Sequence, residues 1–401
     1  MATLAPVALT ERTEAQRWAE VHDEETLWGD LRPELLRLVS ACLESTMEAE
    51  VLDLVLAARY ERTPRRAAYR NGTYRRDLVT ELGLVEALRV PRARELTYHP
   101  SFLARAARRT GLVDHVLRQA FLRGLSTRET AALAETLTGV PLSAGSVSRL
   151  VARLDGIVAA FHRRRLAFPA RYLLVDGLWV SVRGSAGRAQ KRVILAVYGI
   201  DAHGRREFLD YRQAIAESSA AWGALLGDLV RRGLDPDAIE LVTADGAGGI
   251  AAAVAEAFPA AALQRCWTHR VRNLLEALPP AERRDCLRGL RSIYRARTRR
   301  AAVAAYWRWA RTWRVRHPRL VRDLERDLDL LLAVFALPAP LRVHLRTTNL
   351  IERAFRELRR RLRPIGSLAD RRSADRILYG QVLRLNELLA RRPLAAFPQE
   401  S

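Results

Sequence analysis

The chain has 401 residues, of which 49% are hydrophobic and 28% are charged, so its composition is that of a globular protein and not of a disordered chain. Its 67 Lys and Arg residues exceed its 45 Asp and Glu residues, which gives a formal charge of +22 at pH 7. Such a surplus is typical of proteins that bind nucleic acid, although ribosomal proteins and proteins of anionic membranes share it.

The N-terminal region combines a helical pattern with a basic, strand-like pattern. Residues 1–20 contain no basic stretch followed by an apolar run, so no signal peptide is expected. Leu and Val recur at helical spacing over residues 24–60 and predict two helices. Asn71-Gly72 is a turn signal, and residues 78–90 predict short strands around Gly83. Arg75 and Arg76 lie in this stretch, which is either a solvated basic surface or an arm that contacts the DNA backbone.

The next segment has the pattern of a helix-turn-helix. The stretch STRETAALAETL begins with a capping box, in which Ser126 is the N-cap and Glu129 follows three residues later. After the break TGVPL, a second helix is expected from the N-cap Ser143 onward. In such a motif the first residues of the second helix face the major groove, which assigns base reading to Ser146, Ser148 and Arg149. Helix pairs of this kind also occur in domains that bind no DNA.

From Arg171 the pattern changes to short strands and then to alternating strands and helices. The three apolar runs RYLLVDGLWVSVR, KRVILAVYGID and RREFLDYRQ are separated by turn signals. IELVTADG predicts a buried strand, GIAAAVAEAF a helix and AALQRCWTH another strand. This order predicts a mixed sheet flanked by helices. Residues 270–345 return to helix, and residues 347–363 predict one further helix. The longest apolar stretch, residues 330–341, is too short to span a bilayer.

Three acidic residues occur where the pattern predicts burial. Asp176 and Asp245 each follow an apolar run, which predicts that both lie at or near the ends of buried strands. A buried carboxylate is costly unless it is paired or binds a cation, and hard divalent metals take oxygen ligands. Glu352 lies beside the apolar seam of the last predicted helix. The alternatives are an Asp-Gly turn for each aspartate and a solvated Glu–Arg pair for Glu352.

Four motifs in this order, VDGLWV, TADGAGGI, RCWTH and RTTNLIERAFRELRRR, together resemble the bacterial insertion-sequence transposases related to the plant Mutator element. The resemblance extends from about residue 55 to about residue 390. It implies a ribonuclease-H-like core with an Asp-Asp-Glu triad, interrupted by a helical insertion before the glutamate. By position in the motifs, the triad falls on Asp176, Asp245 and Glu352, and a cysteine–histidine element falls on Cys266 and His269.

The expected fold is therefore a multidomain α+β and α/β protein, with a ribonuclease-H-like mixed-sheet catalytic core, a helical insertion and preceding helical DNA-binding regions. The expected domains are an N-terminal helical region (1–60), a basic strand-rich segment (61–100), a helix-turn-helix domain (101–165), the first part of the core (166–270), the insertion (271–345), the C-terminal part of the core (346–392) and a tail (393–401).

The resemblance also implies a mechanism and a set of partners. Two Mg²⁺ or Mn²⁺ ions, held by Asp176, Asp245 and Glu352, are expected to support strand cleavage and strand transfer. The expected partner is double-stranded DNA, as terminal inverted repeats and as target, bound by a homodimer or larger assembly. No membrane is expected as a partner. The three cysteines are too few for a disulfide framework and favour a reducing bacterial cytoplasm. Within it, the protein is expected at the nucleoid. Further DNA contacts are assigned to His269, Arg356, Arg359 and Arg360.

Several alternatives remain open on the residues alone. A regulator that uses only the helix-turn-helix, or a structure-selective nuclease of the same fold, would share much of this pattern. Cys266 and His269 suggest zinc, but a closed zinc site needs four ligands, and no second pair follows. The pair is better explained as a support of the core, or as an element that orients DNA through His269. Trp307, Trp309 and Trp313 either stack on unpaired bases or pack a helical bundle, and packing is the expectation for at least two of them.

Overall fold

The computed structural model of the protein describes residues 24–103, 107–183, 188–246, 249–362, 368 and 370–397. The chain forms two compact units, Met1–Phe121 with Leu125–Ala152, and Leu122–Gly124 with Arg153–Ser401. The segment 1–20, for which no signal peptide is expected, lies outside the described residues. No helix in the described part of the chain combines the length and the apolar character needed to cross a membrane.

The N-terminal unit begins with one helix where the sequence predicts two. Helix α1 (Glu24–Val55) is 32 residues long and has Pro33 inside it. Proline removes one backbone hydrogen bond, but the apolar residues that follow it hold the helix against a neighbouring hairpin. Leu36, Val39 and Met47 take part in this contact. The prediction of two helices was therefore wrong, because tertiary packing extends the helix.

The hairpin consists of strands β1 (Tyr69–Thr80) and β2 (Gly83–Arg94), and residues 80–83 form its turn. The strands around Gly83 are thus confirmed. The turn expected at Asn71-Gly72 is wrong, since these residues lie inside β1, where the register shifts between Arg70 and Thr73. Gly72 has φ +68°, a backbone conformation that suits glycine and accommodates the extra residue of a bulge.

Three helices follow, α2 (Gly111–Leu122), α3 (Thr127–Thr138) and α4 (Ala144–Ala152). The capping box of α3 is present, with the Ser126 side chain accepting from the Glu129 backbone and the Glu129 side chain accepting from the Ser126 backbone. Ser143 Oγ accepts from the Ser146 backbone at 3.1 Å, so it caps α4 as expected. Gly139 ends α3 in the left-handed conformation, with φ +68°.

The C-terminal unit contains a five-stranded mixed sheet. Its strands are β3 (Tyr172–Arg183), β4 (Ala189–Ile200), β5 (Arg206–Ala214), β6 (Leu241–Ala244) and β7 (Ala262–Arg265), in the spatial order β5-β4-β3-β6-β7. The pairs β3–β4 and β4–β5 are antiparallel, and β3–β6 and β6–β7 are parallel. A mixed sheet is what the sequence predicts, and its antiparallel half is formed by strands that follow each other directly.

Helices surround this sheet, as the sequence predicts for an α/β layer. They are α5 (Leu154–Phe161), α6 (Ser219–Arg231), α7 (Ile250–Ala257), α8 (Trp267–Glu276), α9 (Pro280–Tyr294), α10 (Arg299–Arg314), α11 (Pro318–Leu332), α12 (Ala339–Leu345), α13 (Asn349–Leu362) and α14 (Arg371–Ala390). One face of the sheet packs on α6 and α7 through a core that includes Val175, Trp222 and Val254. On the opposite face, Phe208 of β5 packs against Phe355 of α13, with ring centroids 6.5 Å apart.

The segment between β7 and α13 is helical, as expected, and two of its tryptophans are core residues. Trp309 and Trp313 on α10 are buried, which confirms the packing expectation for at least two of the three. Trp307 is 48% exposed, and the Arg314 guanidinium lies 5.9 Å from its ring centroid.

Candidate active site

Asp176 lies within strand β3 and not at its end. Strand β3 continues to Arg183 because it pairs with the equally long β4, in which Ala196 stands opposite Asp176. The expected position at a strand end was therefore wrong for Asp176, and so was the Asp-Gly turn alternative. On its other side β3 pairs with the four-residue β6 only as far as Leu174. Asp176 is thus buried two residues beyond the point at which β3 stops pairing with β6.

Asp245 follows the last residue of β6, as the sequence predicts. The chain then turns at Gly246, which has φ +89°. The positive φ favours glycine at the turn that follows Asp245, and a β-carbon at Gly246 would also collide with the Arg265 side chain. Strands β3 and β6 are parallel neighbours, and this arrangement brings the carboxylates of Asp176 and Asp245 to one end of the sheet.

Glu352 projects from the first turn of α13, beside the helix face that packs on the sheet. The predicted apolar seam is confirmed, because Ile351, Phe355, Leu358 and Leu362 are all buried. Glu352 itself is half-buried, and its Oε1 lies 3.7 Å from Nε2 of His269. The structure therefore places Glu352 beside the cysteine–histidine element and not in an ion pair with an arginine of its own helix.

Cys266 and His269 belong to the start of helix α8, and β7 ends before them at Arg265. The prediction that the strand includes Cys266 and His269 was therefore wrong. Cys266 is buried, and its backbone N–H donates to Ala244 O at 2.7 Å, so it is tied to the end of β6. This bond holds α8 next to Asp245.

Thr348 connects the cysteine, the histidine and the glutamate. Its backbone N–H donates to Cys266 Sγ at 3.3 Å. Its hydroxyl lies 3.3 Å from the same sulfur, 3.0 Å from Glu352 Oε1 and 3.5 Å from His269 Nδ1. Potential ligand atoms of Cys266, His269 and Glu352 lie within 4.8 Å of one another. A closed zinc site needs four ligands, and this cluster offers three. Because the sulfur already accepts a hydrogen bond from the Thr348 backbone N–H, its observed contacts are those of a structural support.

The pKa values of Asp176 and His269 are both shifted by their charged neighbours. Burial, with smaller contributions from the carboxylates of Asp245 and Glu352, raises the pKa of Asp176 to about 7 against the opposing effect of His269. The hydrogen bond with Cys266 raises the pKa of His269 to about 9, and Asp176 and Glu352 act in the same direction. Asp245 at the end of β6, Glu352 on α13 and His269 on α8 thus all lie close enough to Asp176 on β3 to shift its pKa.

A fourth carboxylate, Glu217, was missed by the sequence analysis. It directly precedes Ser218, the N-cap of α6, and a β-carbon at Gly177 would lie 2.5 Å from its Oε1. Burial raises the pKa of Glu217, as does Asp245, and the side chain of Trp179 donates a hydrogen bond to it. No local pattern marks Glu217, because its proximity arises only when α6 folds back on β3 and a glycine leaves room for it.

The residues assigned to DNA contact are distributed over both units. Arg356 and Arg359 on α13 are exposed and make no ion pair within the described residues, whereas Arg360 pairs with Glu357.

In the N-terminal unit, Arg75 is exposed and Arg76 is half-buried on β1. On α4, Ser148 and Arg149 are exposed and Ser146 is half-buried; the Arg149 guanidinium donates to Ser146 Oγ at 3.0 Å.

This arrangement can be compared with known families. A family described as Transposase, Mutator family, matches residues 9–388. The chain belongs to the Mutator family of transposases. The match covers both units, so the resemblance drawn from the four ordered motifs is confirmed.

Individual insertion-sequence transposases align with most of the chain. The transposase for insertion sequence element ISRM5 of Rhizobium meliloti is 36% identical, over 88% of this chain and 88% of the relative. The transposase for IS1081 of Mycobacterium tuberculosis is 36% identical, over 88% of this chain and 84% of the relative. The transposase for IS256 in transposon Tn4001 of Staphylococcus aureus is 28% identical, over 87% of this chain and 89% of the relative.

Proposed function

We propose that the protein is an insertion-sequence transposase that binds the terminal inverted repeats of its element and cleaves and joins DNA strands. The observation that carries this proposal is the proximity of Asp245, Glu352 and His269 to the buried Asp176, in a member of a transposase family with a charge of +22. Because an element has two ends to be joined, we further propose that it acts as a homodimer or larger assembly on DNA.

The residues present fit a divalent metal site. Burial and two neighbouring carboxylates raise the pKa of Asp176 to about 7 against the opposing effect of His269, so negative charge is crowded around this side chain. A hard divalent cation, which prefers carboxylate oxygens, relieves such crowding. Asp176, Asp245 and Glu352 would hold Mg²⁺ or Mn²⁺, as two ions. When bound, these ions supply Lewis-acid stabilisation of the attacking and leaving oxygens of a phosphodiester.

The chain's own residues prepare the site in several ways. Strand β3 and the β6 end fix the two aspartates on a rigid sheet, and the Gly177 backbone donates to Asp176 Oδ1 at 2.9 Å. The Thr348 hydroxyl orients Glu352, and the Cys266 sulfur in turn holds Thr348. Arg356 and Arg359 extend from Glu352 along the outer side of α13, where they would contact the DNA backbone. In the proposed reaction, water opens a phosphodiester to free a 3′-hydroxyl, which then attacks a second phosphodiester.

Thr348→Val is expected to reduce cleavage about 10–100-fold, the usual effect of removing an outer partner of a metal ligand. Valine keeps the shape of threonine but removes the hydroxyl that contacts Glu352, whereas Thr348→Ser keeps the hydroxyl and serves as the matched control. The measurement is the cleavage rate over a range of Mn²⁺ concentrations, and the valine variant should need more Mn²⁺ for half of its maximal rate. Equal loss in both variants would assign Thr348 to packing alone.

Glu217→Gln is expected to weaken cleavage and Mn²⁺ affinity by about 10–100-fold. The carboxylate lies against Gly177 and acts on Asp245, so it adds negative charge close to the proposed metal site. The control is Glu256→Gln, which removes an exposed carboxylate on α7. Cleavage and Mn²⁺ titrations of the two variants should differ clearly. If they coincide, Glu217 has no part in the site.

Arg149→Ala is expected to weaken binding to the terminal repeat by about 1–3 kcal/mol more than binding to random duplex. The residue lies on α4, where an arginine can pair bidentately with guanine. The double change Arg75→Ala with Arg76→Ala should weaken binding to both duplexes alike and reduce the salt dependence, because phosphate contacts carry no sequence information. Titration of both duplexes at two salt concentrations measures the difference. If Arg149→Ala lowers the affinity for both duplexes equally, Arg149 does not read the sequence, and another segment of the chain must do so.

The proposed function is tested by incubating the chain with labelled DNA from the genomic repeats that flank its gene, in the presence of Mg²⁺. A transposase yields both nicks at the element ends and joined products. A nuclease of the same fold yields nicks without joining, and a regulator that uses only α3 and α4 binds the repeats without either product. Either of the last two results would overturn the proposal.

A further inference from the structure

A cavity of about 480 Å³ lies in the C-terminal unit, beside the proposed active site. It is bordered by the start of α8, the end of α9 and the start of α13. Four arginines line it, and no aspartate or glutamate is among its described lining residues. They are Arg206, Arg295, Arg346 and Arg353. Its volume falls in the range of small-ligand pockets, about 300–1,000 Å³.

No carboxylate among the described residues that line the cavity offsets the charge of these arginines. Burial lowers the pKa of His344, and the nearby Arg206, Arg353 and Arg346 lower it further. Burial also lowers the pKa of Arg346, and Arg295 acts in the same direction. Nε of Arg206 is buried and has no hydrogen-bond partner among the described residues. A buried donor without a partner, in a cluster of arginines, indicates a site for an anion.

The same cavity has flat surfaces suited to a ring. Tyr294 is half-buried at the end of α9, and its ring centroid lies 5.4 Å from that of the buried Trp267. The Arg346 guanidinium lies 5.2 Å from the Tyr294 ring centroid, and its Nη1 donates to Tyr294 O at 2.8 Å. Aromatic rings and guanidinium planes are the surfaces on which unpaired nucleobases stack.

The cavity is lined by residues that adjoin the proposed active-site residues in the sequence, and hydrogen bonds tie its lining together. The Trp267 backbone N–H donates to Arg346 O at 3.1 Å, and Thr268 Oγ1 donates to Asn349 Oδ1 at 3.2 Å. Arg353 is the residue after Glu352 on α13. Trp267 and Thr268 likewise adjoin Cys266 and His269, so the cavity and the proposed active site share the starts of α8 and α13.

We propose that this cavity binds one unpaired nucleotide of the DNA strand next to the cleaved phosphodiester, with its phosphate against the arginines and its base against Tyr294 and Arg346. A base within the duplex is stacked on both faces, so the nucleotide would reach Tyr294 only after it leaves the duplex. This inference rests on the proposed function, because it assumes that the DNA end reaches the carboxylates.

The first test measures binding without cleavage. A single-stranded hexanucleotide that carries a 5′-phosphate and one 2-aminopurine is titrated with the full chain in EDTA. Arg295→Gln and Arg353→Gln are each expected to weaken binding about tenfold, since each removes a charge-assisted phosphate contact at an exposed rim position. The matched control is Arg291→Gln, an exposed arginine of α9 outside the cavity, which should have a much smaller effect. Equal losses in all three variants would overturn the proposal.

The second test separates the base from the phosphate. Stacking should quench the 2-aminopurine fluorescence on the wild-type chain, and Tyr294→Leu should restore it and weaken binding about tenfold. Inorganic phosphate at the same concentration should compete poorly. Equal competition by inorganic phosphate, or quenching that Tyr294→Leu leaves unchanged, would contradict a nucleotide site. Because both tests exclude metal, their failure would leave the proposed cleavage activity untouched, and loss of cleavage alone would leave these results standing.

Discussion

Asp176→Asn, Asp245→Asn and Glu352→Gln are each expected to reduce strand cleavage by about 10³-fold or more while leaving repeat binding nearly intact. Each change keeps the shape of the side chain but removes a charged oxygen ligand, and a metal supplies several kcal/mol of transition-state stabilisation. The three residues belong to the C-terminal unit, whereas the helices proposed to read DNA, α3 and α4, belong to the N-terminal unit. Gel-based cleavage assays and repeat-binding titrations measure the two properties separately.

The control for these variants is Asp237→Asn, which removes an exposed carboxylate of the same unit. Asp176→Asn should also leave the Tm of the metal-free chain unchanged or raise it, because burial and two neighbouring carboxylates disfavour the charged Asp176. A lost activity with a retained Tm therefore reports chemistry and not misfolding. Substantial cleavage by any one of the three variants would remove that residue from the proposed site.

Removal of divalent metal is the second change with a large expected effect. EDTA should abolish cleavage and joining, and added Mg²⁺ or Mn²⁺ should restore both, because three carboxylates offer the oxygen ligands that these hard cations prefer. Repeat binding should persist in EDTA, since arginine contacts to phosphate need no metal. The measurement is a cleavage assay on chelated protein with one metal added back at a time. Cleavage that continues in metal-free buffer is incompatible with the proposed mechanism.

Much of the fold near the site could be predicted from local patterns. The apolar seam of α13 follows from helical spacing, and the mixed sheet follows from the order of apolar runs and turns. The capping box of α3 could be recognised from two residues. These features depend on residues that are close together in the sequence, so local patterns are sufficient to predict them.

Features that depend on distant partners could not be predicted in this way. Asp176 lies within a strand because β4 pairs along the whole of β3, and helix α1 passes Pro33 because the hairpin packs against it. Glu217 and Thr348 reach the site only through the folding of α6 and α13 around the sheet. None of these four contacts leaves a periodic signal in the sequence.

The central claim is that Asp176, Asp245 and Glu352 hold metal together, and localised oxidative cleavage tests it most directly. Fe²⁺ is added in place of Mg²⁺, ascorbate and peroxide generate hydroxyl radicals at the bound ion, and mass spectrometry locates the cuts in the protein chain. We expect cuts close to residues 176, 245 and 352, suppressed by excess Mg²⁺ and lost in the Asp176→Asn variant. Cuts confined to other segments, or unchanged in that variant, would contradict a shared metal site.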